Sequence, residues 1–73
     1  MTLYPLVLYV RARDLDACAA RVDAAVRAFG GAIVDARTYA IDYDPTTNEP
    51  SDATAVLRAR SGRWYRATVK VQG

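Results

Sequence analysis

Few side chains in this chain could do chemistry, and their spacing argues against catalysis. Asp42, Asp44, Thr46 and Asn48 alternate as oxygen ligands do in a calcium loop. Such a loop needs glycine at its sixth position and a bidentate glutamate at its twelfth; Thr47 and Ala53 stand there instead. A solvated turn is the expectation. Asp35, Asp42 and Asp44 make a poor acid pair, because a general acid needs a desolvated pocket and these fall on an open strand and loop. Cys18 has no histidine anywhere in the chain to activate it, and it lies on an apolar helical stripe, so it reads as a small core residue. One cysteine and no histidine fill no zinc tetrahedron and form no disulfide within the chain. Gly30, Gly31 and Gly62 fit neither a dinucleotide-binding nor a P-loop spacing. No catalytic residue, metal or cofactor is expected.

Binding is better served. Arginine and aromatic residues alternate along the strand-like segments, and they are the types enriched at contact hot spots, where a large buried area carries a polar tip. The elements that position them can be read from periodicity. From Leu3 to Arg13 the chain is apolar, aromatic and β-branched, with Pro5 early enough for a strand to tolerate. Leu6, Leu8 and Val10 share one face; Val7, Tyr9, Arg11 and Arg13 share the other. Asp14 is a good N-cap, and Asp16 lies in the first turn, where the helix dipole favours negative charge. Leu15, Cys18, Val22, Val26 and Phe29 then recur at helical steps, and Gly30-Gly31 ends the helix.

Ala32 to about Tyr43 reads as a second strand. Val34, Ala36, Thr38 and Ala40 form a small face for the helix; Asp35, Arg37, Tyr39, Ile41 and Tyr43 lie opposite. The segment DYDPTTNEPSD carries two prolines and four acids, so residues 43–53 are expected to be a solvated acidic loop. The stretch ATAVLRARSGRWYRATVKV reads as a hairpin. A three-residue turn, Arg60-Ser61-Gly62 with Gly62 left-handed, sets Tyr65 opposite Leu57 and Ala67 opposite Ala55, facing inward. Trp64 then faces Arg58, and Arg66 faces Val56, on the outer side; the pairing Trp64–Arg58 is also a cation–π candidate. The expected fold is α+β, β-α-β-β-β: one helix on one face of a four-stranded sheet, with nothing in the chain to cover the other face.

The 73 residues form one domain, 1–73, with a modest core. At 52% hydrophobic and 25% charged, the chain belongs among folded domains. A core this small gains from self-association, so a homodimer is a natural expectation. The opening MTLYPLVLYV lacks a basic leader and is too short to cross a bilayer, so no membrane role is expected. An unpaired cysteine fits a reducing, cytoplasmic setting.

The opening LYVRARDLDACAARVDAAVRAFGGAIVDAR and closing AVLRARSGRWYRATVKV resemble the start and the final hairpin of a module of the vicinal oxygen chelate superfamily, which includes glyoxalase I and bleomycin-resistance proteins. In the enzymes of that superfamily a first-strand histidine and a last-strand glutamate bind metal. Here there is no histidine, and Arg63 to Gln72 holds no acid. The resemblance therefore implies a metal-free, dimeric small-ligand binder.

From the residues themselves, the expected role is a non-catalytic domain that engages a protein partner, or a second copy, through the outer sheet face. The expected contacts are Tyr9, Arg11, Arg37, Tyr39, Arg58, Trp64 and Arg66. Such domains act as adaptors, subunits or inhibitors of larger complexes, phage-encoded ones included. Nucleic acid is the alternative occupant: Tyr9, Tyr39 and Trp64 would stack on bases while arginines meet phosphates.

Overall fold

A computed structural model describes residues 2–73. The chain is an α+β fold: β1 (Leu3–Ala12), α1 (Leu15–Ala28), β2 (Ala32–Ile41), β3 (Ala55–Leu57) and β4 (Arg63–Gln72). One helix packs on a four-stranded mixed sheet of strand order β2-β4-β1-β3. The helix begins as its sequence dictates, with the Asp14 carboxylate accepting from the Ala17 amide at 2.8 Å. It ends in a Schellman motif. The Gly30 amide donates to the Arg27 carbonyl at 2.9 Å and the Gly31 amide to the Val26 carbonyl at 3.2 Å, with Gly30 at φ +81°.

Cys18, Val22 and Val26 are buried against Leu8 and Val10 of β1 and Tyr65, Ala67, Val69 and Val71 of β4. Burying each large apolar side chain contributes about 1.5–3 kcal/mol. The two ends of the helical stripe do not join them: Leu15 is 52% exposed and Phe29 76%.

The expected β3–β4 hairpin does not form. β1 lies between its two arms, parallel to β3 and antiparallel to β4. Yet the rows survive. Leu57, Val10 and Tyr65 share one row, and Ala55, Leu8 and Ala67 another, so each expected pair is present with a β1 residue inserted. Alternation fixes which face a side chain takes and says nothing about its lateral neighbour. The most apolar strand has gone to the centre of the sheet, where Leu8, Tyr9 and Val10 are buried on both faces.

β2 is an edge strand paired only with β4. A bulge between Ile33 and Asp35 makes Val34 the extra residue. Ile33, not Val34, therefore turns to the core, and Val34 is left 55% exposed. Ala36, Thr38 and Ala40 hold the expected face, opposite Val69, Ala67 and Tyr65, but Ala36 and Ala40 remain exposed.

The expectation of a bare second face also fails. β1, β2 and β3 all run in one direction, and β2 and β3 occupy opposite edges. Residues 42–54 must therefore cross the sheet, since a parallel connection needs a crossover of roughly a dozen residues. They cross the face opposite the helix. Most of this segment is exposed, as its composition requires, but Pro45 is fully buried and Asp52 bonds to β1 and β4.

Gly62 has φ +120°, and a Cβ there would lie 2.5 Å from the Ala12 carbonyl oxygen. Gly62→Ala is expected to destabilise the fold by about 1–3 kcal/mol. Ser61→Ala, one exposed residue away, should stay within about 0.5 kcal/mol. Urea denaturation of both variants makes the comparison.

Candidate binding surface

The outer face is organised in rows that run across β2, β4 and β1. Asp35, Lys70 and Pro5 form one; Arg37, Thr68 and Val7 the next. Tyr39, Arg66, Tyr9 and Val56 follow, then Ile41, Trp64 and Arg11. All the expected contact residues are therefore on this side of the sheet or at its end, but they do not form one open surface.

Arg66 organises the third row. Its guanidinium donates to the Asp52 carboxylate at 2.7 Å, to the Tyr9 hydroxyl at 3.2 Å, to the Tyr39 hydroxyl at 3.2 Å and to the Thr68 hydroxyl at 3.0 Å. Tyr9 in turn donates to the other Asp52 oxygen at 3.0 Å. The guanidinium carbon also lies 6.0 Å from the centre of the Tyr39 ring, so the cation–π contact of this face is Arg66 with Tyr39 and not Arg58 with Trp64. Two strands and the crossover segment thus meet at one planar cation, a geometry a lysine could not satisfy.

Tyr9 is consequently only 2% exposed, and it is removed from the set of available contacts. Its expected outward direction is right; the crossover segment lies over it. Burial, reinforced by the neighbouring Tyr43 hydroxyl and the Asp52 carboxylate, pushes the Tyr9 phenol up to about 12. The Asp52 carboxyl is held below the ordinary carboxylate range, chiefly by the hydrogen bond from Arg66. Arg66 is stabilised as a cation by Asp52 first and Tyr9 second.

Two further arginines are committed to the backbone. Arg21, on the helix, donates to the Arg11 carbonyl at 2.7 Å and the Arg58 carbonyl at 3.0 Å, tying α1 to the ends of β1 and β3. Arg11 donates to the Gly62 carbonyl at 3.2 Å, bracing the approach to β4. Arg13 pairs with Asp14 at 3.4 Å and Arg27 with Asp23 at 3.0 Å, both exposed. That leaves Arg37, Arg58, Arg60 and Arg63 of the nine arginines with no side-chain hydrogen bond or ion pair among the described residues. Arg58, Arg60 and Arg63 are exposed at the sheet end where β1 and β3 stop and β4 begins, the end that also carries half-buried Trp64.

The acids of the crossover segment serve its own shape. Asp44 accepts from the Thr46 amide at 2.8 Å and the Thr46 hydroxyl at 2.6 Å, and these bonds lower its pKa, with Arg11 and Arg58 adding to the effect. This is an Asx turn. Burial pushes the Cys18 thiol up, away from thiolate reactivity. On the helix side a recess of about 250 Å³ opens between Leu6, Leu8, Val26 and Phe29; its lining is apolar apart from the Tyr4 and Thr54 hydroxyls. Asp52 and Arg21 escaped the sequence reading. Nothing local marks either one, because their partners lie on other elements. No family model, curated protein or solved structure matches this chain.

The Asp52–Arg66–Tyr9 group sets two pH limits. Asp52 has a lowered folded pKa, so its contribution is complete above its unfolded value, about 3.9, and is lost as pH falls through the folded one. Tyr9 has a raised pKa, so its contribution is complete below about 10 and is lost as pH rises toward about 12. Thermal denaturation against pH should show Asp52→Asn losing part of the acid-side dependence and Tyr9→Phe part of the alkaline one. Amide exchange at Thr54, whose N–H donates to the Val7 carbonyl at 2.7 Å, is expected to speed up by roughly threefold or more in Asp52→Asn.

Proposed function

We propose that this domain is a non-catalytic binding module that engages an acidic protein surface through Tyr39, Arg58 and Trp64. Tyr9, Arg66 and Asp52 form the rigid framework beneath that surface. The observation that carries this reading is the sorting of the arginines. Arg11, Arg21 and Arg66 hold the fold together, while Arg58, Arg60 and Arg63 have no side-chain hydrogen bond or ion pair among the described residues and lie at the same end of the sheet as Trp64. Unpaired guanidinium groups at the sheet end that carries a large aromatic ring suit carboxylates set in an apolar surround. Arg11 positions the turn from which this cluster projects.

A non-catalytic role is supported by the saturation of the polar network. The groups of the third row that could move protons already bond one another, and the phenol and guanidinium are held in their ordinary protonation states at neutral pH. The adaptor, subunit and inhibitor roles all use the same contact, and a reducing cytoplasmic setting suits the buried Cys18 thiol. No helix among the described residues is long and apolar enough to cross a membrane.

Nucleic acid is the second reading, favoured by the exposed arginine cluster. Against it, the crossover segment brings Asp52 onto the middle of the face and buries Tyr9, so a base-stacking platform across the sheet is interrupted. Salt separates the two. Phosphate binding weakens steeply as counterions are released, whereas a hot-spot protein contact weakens far less.

Capture of proteins from the native host's lysate is expected to be lost with Trp64→Ala and with Arg58→Glu. Affinity for the captured protein should fall about thirtyfold in Trp64→Ala, as for a hot spot of about 2 kcal/mol. Equal capture by wild type and both variants, each shown folded by circular dichroism, rejects the surface. Tight binding of poly(dT) or poly(U) that collapses between 50 and 200 mM salt transfers the role to nucleic acid.

A further inference from the structure

We infer that the free edge of β2 pairs antiparallel with β2 of a second copy of this chain, about a two-fold axis at Ala36. β2 is ten residues long and bonds to β4 on one side only. Among the described residues, no backbone bond from outside the sheet reaches it between Val34 and Ile41. A long unpaired edge is a template for another strand, and proteins usually guard it with like charges, proline or a covering segment. Here the edge carries Asp35 and Arg37, opposite in sign and two residues apart on one face. Neither has an ion pair or a side-chain hydrogen bond among the described residues, although Lys70 lies beside Asp35 in the same row.

Symmetry restricts the register. Two identical edges present the same alternate amides, so an antiparallel pair forms only where the numbers of facing residues sum to an even value. A centre at Asp35 sets two aspartates against each other, and a centre at Arg37 sets two arginines against each other. A centre at Thr38 leaves Asp35 facing Ile41. Centring at Ala36 instead makes two Asp35–Arg37 pairs, with alanine on the axis, where small side chains let the strands approach. The bulge at Val34 lies just outside this central stretch.

The helix side of the same strand supplies the second argument. Val34, Ala36 and Ala40 are exposed there or at the bulge, although Ile33 of the same strand packs against the core. The open edge and the bare apolar flank thus coincide along one strand. A two-fold pairing would extend the sheet to eight strands and bring the two flanks side by side. This association uses the edge, not the Arg58–Trp64 end, so it stands or falls separately from the proposed partner contact.

Sedimentation equilibrium of the full chain from micromolar to millimolar concentration tests the pairing, and a dimer is expected within that range. Asp35→Arg should raise the dissociation constant at least about tenfold, and Asp35→Arg with Arg37→Asp in one chain should restore it, since the swapped charges remain complementary. Ala36→Cys should oxidise to a covalent dimer, because facing Cβ atoms sit roughly 4.5–5.5 Å apart. Ala40→Cys, off the axis, should not do so at a comparable rate, and native Cys18 is buried. A wild type that stays monomeric at millimolar concentration overturns the inference, as does a double swap that fails to restore the dimer.

Discussion

The placement of β1 between β3 and β4 constrains everything else in this molecule. With β1 in the middle, the chain must leave β2 at one edge and re-enter the sheet at the other, travelling in the same direction. No tight turn can make that connection, so residues 42–54 become a second crossover, on the face the helix leaves free. A helical crossover buries its own apolar stripe. An acidic, proline-containing one has little apolar surface to bury, and it holds its course through Pro45 and the hydrogen bonds of Asp52. The Arg66 guanidinium, with donors directed at β1, β2 and the crossover at once, replaces a hydrophobic contact with a charge-assisted one.

That replacement explains why the aromatic residues of the outer face have different fates. Tyr9 lies under the crossing and becomes part of the interior, its hydroxyl satisfied on both sides. Tyr39, one strand beyond Arg66 and next to the edge, bonds the same guanidinium yet keeps half its surface in solvent. Trp64 lies one row toward the end of the sheet, beyond the crossing's tie point. A surface that looks continuous in sequence is therefore divided by a segment whose path depends on strand order.

Helix α1, its Asp14 cap and Gly30-Gly31 exit, and the face taken by nearly every strand residue were legible in the sequence, because each follows from spacing within one element. The order of the strands was not. Hairpin and inserted-strand arrangements place Tyr65, Leu57, Ala67 and Ala55 on the same face in the same rows, so the alternation that argued for one served the other equally. The bulge at Val34 was hidden for a related reason: Ile33 and Val34 are interchangeable by pattern, and only the pairing with Val71 decides which turns inward. Of the seven candidate contact residues, all lie on the predicted side or at its end. Exposure separates them, and exposure depends on the crossover.

The arginine content can then be read differently. Nine arginines in a chain of modest net charge suggest a basic binding face when they are merely counted. Three of them instead do what hydrophobic contacts cannot do in so small a core. Arg21 closes the carbonyls at the ends of β1 and β3, Arg11 braces the turn, and Arg66 fastens the crossover. Each task requires several donors in fixed directions, which a planar guanidinium provides and an ammonium does not. Only the arginines left over after the fold has used the others can report on a partner. They are not spread over the face: Arg58, Arg60 and Arg63 sit at one end of the sheet, and Arg37 stands near the edge, two residues from an acid of opposite sign. The unused charge thus marks two separate places, and each has a different physical complement: carboxylates at the end, the strand's own sequence at the edge.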